Sequence, residues 1–226
     1  MSSSFAANPV QPSVTSLARL NFGKQVEEAL NIQLGTFFTC SYTYSSMATW
    51  CTRDTVALHG LSSEFCSKSR ERYADAETLI RFINNRGGIV NFKQIPAPET
   101  EWQSPVRMVE SALSLERDVK QSLWNLAKIA ETENDHVTED YIKGEYLEKQ
   151  IMIVKFMADL LTNVRRVGDG PGLFVLDRAL LKKEQVVWAA RQRHTNMDVF
   201  HEHHTKAPEL SFKDIEDMKR IAKYAD

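Results

Sequence analysis

The amino-acid sequence predicts an all-α protein in which four long helices form a bundle with one long crossover, a short fifth helix and a C-terminal extension. Four stretches carry apolar residues at alternating steps of three and four, the spacing of one face of an α-helix. A proline-containing segment separates the second stretch from the third, and a glycine-rich passage follows the fourth. Long helices in this order are typical of a four-helix bundle.

The first two helices have the clearest pattern. The first is expected from Val26 to Cys51, with its apolar spacing interrupted only by Gln33. The second is expected from Thr55 to Arg86, because Gly87 and Gly88 form a strong stop signal. The apolar positions that carry the two patterns are Val26, Leu30, Phe37, Cys40, Tyr44, Met47 and Cys51, then Leu58, Leu61, Phe65, Tyr73, Leu79 and Phe82.

The segment from Ile89 to Trp102 separates the two helix pairs. It contains two prolines and one short alternating run, IVNFKQI, which is too isolated to make a sheet. We therefore expect an extended crossover that joins distant ends of the bundle. The third helix is expected from Val106 to Ala130.

The fourth helix follows the polar stretch ETENDH and is indicated by Tyr146, Ile153 and Leu160. Glycines and a proline between residues 168 and 172 predict its end. The apolar segment LFVLDRALL then predicts a short fifth helix, so the bundle should end near Leu181.

Composition and charge exclude several classes of protein. The chain has 226 residues, with 28 Lys and Arg against 30 Asp and Glu, so no strong net field recruits nucleic acid or anionic membrane. Its apolar runs fall short of the roughly 18 residues that span a bilayer. The Ser-rich start lacks the apolar core of a secretory signal and resembles an organelle transit peptide only faintly. The three cysteines lack paired spacing, and we expect a cytoplasmic protein without a membrane partner.

Short segments in order along the chain resemble eukaryotic ferritin subunits across about residues 25 to 180. They are ALNIQL, SYTYSSMATW, RDTVAL, RGG followed by FKQIPAP, ALSLERDVKQSLWNLAKIA and LTNVRR. The resemblance implies a ferritin-like four-helix bundle that assembles as a homo-oligomeric cage of 24 subunits, or as a cage mixed with other ferritin subunits. It implies three parts: a flexible N-terminal arm (1–22), the bundle domain (23–181) and a C-terminal extension (182–226) that faces the lumen.

Iron oxidation in this family needs carboxylates and an imidazole inside the bundle, so that two irons are held together. The resemblance places Phe37 where active members have a glutamate, and Arg72 and Asp75 where they have a Glu-x-x-His pair. A phenyl ring cannot bind iron, and a guanidinium repels it. We therefore expect no ferroxidase activity, no catalytic residue, no required cofactor and only weak iron binding. The vestigial metal residues that the resemblance implies are Glu71, Asp75, Glu116 and Gln150, beside Tyr44.

Two interpretations of Arg72 remain open. It can occupy the vacant metal volume and pair with Glu116 or Asp75, since an unpaired buried charge would cost several kcal/mol. Alternatively, Arg72 and Asp75 form an ordinary ion pair on the helix surface, because they are three residues apart.

The resemblance also places a three-fold pore at the start of the fourth helix, at Glu139, Asp140 and Lys143. Lys143 stands where a glutamate is expected, and a ring of ammonium groups would weaken the attraction for cations. The acidic inner surface that nucleates mineral is thin too, because Arg70 and Ala74 interrupt it. Its matching positions are Ser63, Glu64, Ser67, Arg70, Glu71, Ala74 and Glu77.

The C-terminal extension carries a histidine cluster, His201, His203 and His204, which can bind a transition metal or form a solvated polar turn. A terminal amphipathic helix is expected from Ser211 onward. The long extension, the IPAP crossover and the Gly-Pro passage before a Phe-x-x-Asp-Arg element resemble the artemin branch of the family, although artemins are rich in cysteine.

An artemin-like subunit implies a protective, heat-stable chaperone shell with little iron storage, with unfolded client proteins as partners and a possible RNA association. The alternative is a light-type ferritin subunit that stores iron in a cage shared with active subunits. An enzyme would need a relocated metal site, for which the only Glu-x-x-His of this sequence runs from Glu133 to His136; it falls in a turn, and we interpret it as chance.

Overall fold

The computed structural model describes residues 16–182, which contain helices, turns and extended connections but no strand. The helices are α1 (Lys24–Cys51), α2 (His59–Asn85), α3 (Pro105–Thr132), α4 (His136–Ile142), α5 (Glu148–Val167) and α6 (residues 171–182). A π-helical turn, Lys143–Leu147, joins α4 to α5 without a break. The predicted all-α bundle with a long crossover and a short additional helix is confirmed.

Local signals explain three of the helix boundaries. The Ser104 hydroxyl accepts from the backbone N–H of Arg107 at 3.1 Å, and Pro105 follows it as the first residue of α3. The Asp135 carboxylate caps α4 in the same way, through the N–H of Thr138 at 3.1 Å. Gly168, with φ of 62°, ends α5 at the predicted position.

The predicted start of the second helix at Thr55 is wrong by four residues, because α2 begins at His59. The backbone N–H of Leu58 donates to Cys51 O at 2.9 Å and closes the intervening loop. Ala57 has φ of 53°, a left-handed conformation that interrupts any continuous helix. Leu58 fits the apolar period because it is buried, although it precedes the helix.

The additional helix α6 packs against the beginning of α2. The Asp177 carboxylate accepts from the buried N–H of Leu61 at 2.9 Å, which satisfies a donor that α2 cannot pair within itself. A Cβ atom at Gly60 would lie 1.9 Å from the carbonyl oxygen of Asp177, so this approach requires glycine.

The apolar core consists of two clusters at opposite ends of the bundle. One contains Tyr44 and Phe65, and the other contains Phe37. Gln33, which interrupts the apolar pattern of α1, is 1% exposed, and its Oε1 accepts from the Ser122 hydroxyl at 2.6 Å. Within residues 16–182, no helix combines the length and apolarity needed to cross a membrane.

The N-terminal segment before residue 16 and the C-terminal extension from residue 183 lie outside the described residues. The possible metal cluster of His201, His203 and His204 and the terminal helix predicted from Ser211 therefore lie outside them as well. Of the predicted arm, residues 16–22 are described: Phe22 is buried, and Arg19 pairs with Glu27 at 2.8 Å.

Candidate functional site

A buried group of polar side chains lies inside the bundle, and every long helix contributes to it. We define the Arg72 cluster as Arg72 and Asp75 on α2, Glu116 on α3, Gln150 on α5 and Tyr44 on α1. Exposure is 2% for Arg72, 0% for Glu116 and Tyr44, 1% for Gln150 and 8% for Asp75. Charged side chains are seldom this buried unless they are paired.

The Arg72 guanidinium lies at the centre of the cluster and contacts three other members. Its Nη1 donates to Asp75 Oδ2 at 3.1 Å, and its Nη2 donates to Gln150 Oε1 at 2.8 Å and to Glu116 Oε2. Gln150 Nε2 in turn donates to the same Glu116 oxygen at 2.6 Å. The Tyr44 hydroxyl donates to the second oxygen, Glu116 Oε1, at 2.5 Å.

Asp75 has a second cationic partner that the sequence analysis missed. Lys149 Nζ donates to Asp75 Oδ1 at 2.8 Å, and the lysine side chain is 43% exposed. Tyr146 donates its hydroxyl to the backbone carbonyl of Asp75 at 3.2 Å. No spacing in the sequence links Lys149 to a helix so far away along the chain, so this contact had no sequence signal.

Phe37 lies beside the guanidinium, where the resemblance expected a carboxylate in active relatives. Its side chain is fully buried, and the centre of its ring is 5.8 Å from Arg72 Cζ. The Tyr146 ring packs on Phe37 with 5.2 Å between centroids. A cation near an aromatic face is stabilised electrostatically, so Phe37 favours the charged arginine.

Charge and burial determine the protonation of this cluster. Burial opposes the charge on Arg72, but Glu116 and Asp75 outweigh it, so the pKa of the guanidinium is raised. Burial, reinforced by Glu116, also raises the pKa of Tyr44 well above its ordinary value. Arg72 therefore stays charged and Tyr44 stays neutral, and both act as donors to Glu116.

The Arg72 cluster decides between the two interpretations of the arginine. The prediction that Arg72 pairs with a buried carboxylate is confirmed, since it pairs with both Asp75 and Glu116. The alternative, an ion pair on the helix surface, is wrong because both partners are buried. That Asp75, Glu116 and Gln150 are remnants of a metal centre stays a prediction. Glu71 lies outside the cluster and pairs with Lys68 at 2.9 Å.

The donor set of the Arg72 cluster does not fit a divalent metal ion. Each side-chain oxygen of Asp75 and Glu116 already accepts from a protein donor, and a guanidinium occupies the position between the two carboxylates. Across residues 16–182, no three His, Cys, Asp or Glu side chains converge as a metal site would require.

The residues assigned to a pore form a second, more exposed group at the start of α4. Glu139 accepts from Lys143 at 2.5 Å and lies 3.1 Å from His136 Nδ1. Hydrogen bonds from Lys143 and His136 lower the pKa of Glu139, so its carboxylate stays charged. Asp140 is exposed. That these residues line a pore stays a prediction.

The acidic inner surface also stays a prediction. Of its matching positions, Arg70, Ala74 and Glu77 are exposed, and Glu64 and Ser67 are buried.

Known proteins resemble this chain over most of its length. A family model described as Ferritin-like domain matches residues 27–167. The chain is 36% identical over 167 residues to soma ferritin of Lymnaea stagnalis, covering 74% of this chain and 96% of that one. It is 36% identical over 174 residues to the middle subunit of ferritin from Aquarana catesbeiana, covering 75% and 99%. It is 35% identical over 182 residues to chloroplastic ferritin-3 of Vigna unguiculata, covering 78% and 71%.

Proposed function

Because this chain belongs to the ferritin family, we propose that it is a cage subunit that does not oxidise iron and forms an artemin-like protective shell with little iron storage. The observation that carries the proposal is the Arg72 guanidinium, which lies between Asp75 and Glu116 and donates to both. Iron would be the substrate of a ferritin oxidation centre, and its binding between these carboxylates would require the volume that the guanidinium fills.

The electrostatics of the Arg72 cluster support the absence of oxidation. Two carboxylates and two cations, Arg72 and Lys149, form a group without net charge. A ferrous ion approaching this group meets a fixed positive charge in a region of low dielectric, where repulsion between like charges is strong. Phe37 offers no ligand atom in place of a carboxylate.

The group at the start of α4 supports weak iron passage. Lys143 holds Glu139 in an ion pair, so one of the two carboxylates assigned to the pore is neutralised within its own subunit. A ring built from such pairs attracts divalent cations less than a ring of free carboxylates does.

A protective shell needs apolar surface that contacts unfolded clients. In the isolated subunit, several apolar side chains of α5 and α6 are exposed, with Met152 at 73% and Val175 at 66%. Methionine is flexible and suits surfaces that bind varied partners. These side chains form apolar surface of the subunit that can contact an unfolded client or a neighbouring subunit.

Iron storage in a mixed cage is the second candidate function. It is favoured by the 36% identity to animal ferritins over nearly their full length. Asp140 is exposed and keeps one free carboxylate at the position assigned to the pore. In this case the subunit would store iron that active neighbours oxidise.

Aerobic loading of the purified homo-oligomer with ferrous iron separates these functions. We expect oxidation no faster than with an equal concentration of serum albumin, little iron retained after gel filtration, and suppressed aggregation of a heat-labile enzyme. Rapid saturable oxidation would contradict the loss of the oxidation centre. Slow oxidation with abundant retained iron, and no protection of the heated enzyme, would favour storage.

A further inference from the structure

We propose that Arg72 is a resident cation that excludes divalent metal ions from Asp75 and Glu116, and that its replacement alone converts the cluster into a divalent-cation site. The inference deepens the proposed function and rests on it, because it assigns the exclusion of metal to a single side chain. Phe37 and the residues at the start of α4 then contribute much less than Arg72 does to the exclusion of metal ions from Asp75 and Glu116.

Every side-chain oxygen of Asp75 and Glu116 already accepts a hydrogen bond. In Glu116, Oε1 accepts from Tyr44, and Oε2 accepts from Arg72 and Gln150. In Asp75, Oδ2 accepts from Arg72 and Oδ1 accepts from Lys149. A metal ion would have to displace a charge-assisted hydrogen bond at each carboxylate, and these are the strong ones.

The guanidinium lies where oxygens of three side chains meet. Its two terminal nitrogens contact oxygens from Asp75, Glu116 and Gln150, so these three side chains converge on one small volume. Carboxylate and amide oxygens are the ligands that hard divalent cations such as Mn²⁺ prefer. Without Arg72, the same oxygens surround an open position in the core.

Arg72 and Lys149, the two cations that contact Asp75, differ in their exposure to solvent. The Arg72 side chain is 2% exposed, whereas the Lys149 side chain is 43% exposed. Lys149 can turn its ammonium group into water at little cost, and a metal ion can replace it at Asp75. Arg72 therefore controls the exclusion.

The test compares binding of Mn²⁺ to the assembled protein after chelation and dialysis, using titration calorimetry and the thermal unfolding midpoint. The variants are R72Q, which leaves Asp75, Glu116 and Lys149 with one net negative charge between them, and R72E, which adds a carboxylate as a further ligand. R70Q is the matched control, because Arg70 is an exposed arginine on the same helix. The double variant R72Q/E116Q removes a carboxylate ligand of the new site.

We expect R72Q and R72E to bind Mn²⁺ at least about tenfold more tightly than the wild type and R70Q, because a like charge has been removed from a buried site. Mn²⁺ should raise the unfolding midpoint of R72E more than that of R72Q and leave the wild type unchanged. R72Q/E116Q should lose the increase in Mn²⁺ affinity that R72Q shows over the wild type.

Two results would overturn the inference. One is a wild-type chain that binds Mn²⁺ as tightly as R72Q and loses that binding in E116Q. The other is a folded R72Q or R72E without any gain in affinity over R70Q. If R72E folds only when Mn²⁺ is added, the inference is supported. If neither variant folds with or without Mn²⁺, replacement of Arg72 alone does not create a site, and the inference is overturned. Rapid iron oxidation by the wild type would instead contradict the proposed function.

Discussion

Substitution of Arg72 by Met should reveal how strongly charge in the cluster stabilises the bundle. Methionine fills much of the arginine volume but leaves Glu116, with a side chain 0% exposed, without its cationic partner. Breaking a buried ion pair by removing one partner costs about 3–5 kcal/mol. Glu116 keeps its hydrogen bonds from Tyr44 and Gln150, so we expect a loss near the lower limit, about 3 kcal/mol.

A second substitution separates charge from packing. Glu116→Gln in the R72M background removes the charge of Glu116, while Asp75 keeps its ion pair with Lys149 and the new amide oxygen can still accept from Tyr44. We therefore expect the double variant to recover about 2 kcal/mol of the loss, so that the two substitutions are clearly non-additive.

The measurement is guanidinium unfolding of the assembled protein, followed by the fluorescence of its four tryptophans. Incubation times must be matched between variants, since large assemblies often unfold irreversibly. R70M is the control and should change stability by no more than about 0.5 kcal/mol, because Arg70 is exposed. A loss below about 1 kcal/mol for R72M, or losses that simply add in the double variant, would refute the electrostatic reasoning.

Three further outcomes follow from other contacts. Asp177→Ala should cost about 1–3 kcal/mol by leaving the buried N–H of Leu61 without an acceptor, whereas Asp177→Asn should cost much less, and unfolding midpoints of the two variants provide the comparison. Burial alone would raise the pKa of Asp135, but hydrogen bonds from Arg86 and Thr138 outweigh it, so its pKa lies below the ordinary 3.8. The contribution of Asp135 to the stability of the folded protein is then present above pH 3.8 and is lost as the pH falls through the lower pKa of the folded state. Arg86→Gln should therefore move acid unfolding, followed by circular dichroism, to higher pH. An unchanged unfolding pH would contradict this. Burial raises the pKa of the two buried thiols to about 12, so a thiol reagent should modify at most the partly exposed Cys66 in the native protein and all three cysteines in guanidinium.

The boundaries of the helices show how far local sequence reasoning extends. Gly168 ends α5 as predicted, because a glycine with positive φ terminates a helix without help from distant residues. The start of α2 was misplaced because Leu58 satisfies the apolar period while the backbone before it turns through Ala57. The π-helical turn at residues 143–147 was not predicted, since one widened turn barely changes an apolar pattern.

The candidate site was predictable in its members but not in all of its contacts. The resemblance brought Arg72, Asp75 and Glu116 together, and elementary electrostatics required a buried arginine to find a carboxylate. Lys149 and the burial of both ion pairs could not be predicted, because they depend on how α2 and α5 face each other across the bundle.

By itself, the sequence determined the helical class and the long crossover, which follow from periodicity and turn residues, both local properties of the chain. The presence of a cation among carboxylates is what the resemblance implied. The tertiary structure alone decided that one guanidinium meets both carboxylates and that every carboxylate oxygen is engaged. The physical reason is that burial and hydrogen-bond geometry arise only when helices far apart along the chain pack together.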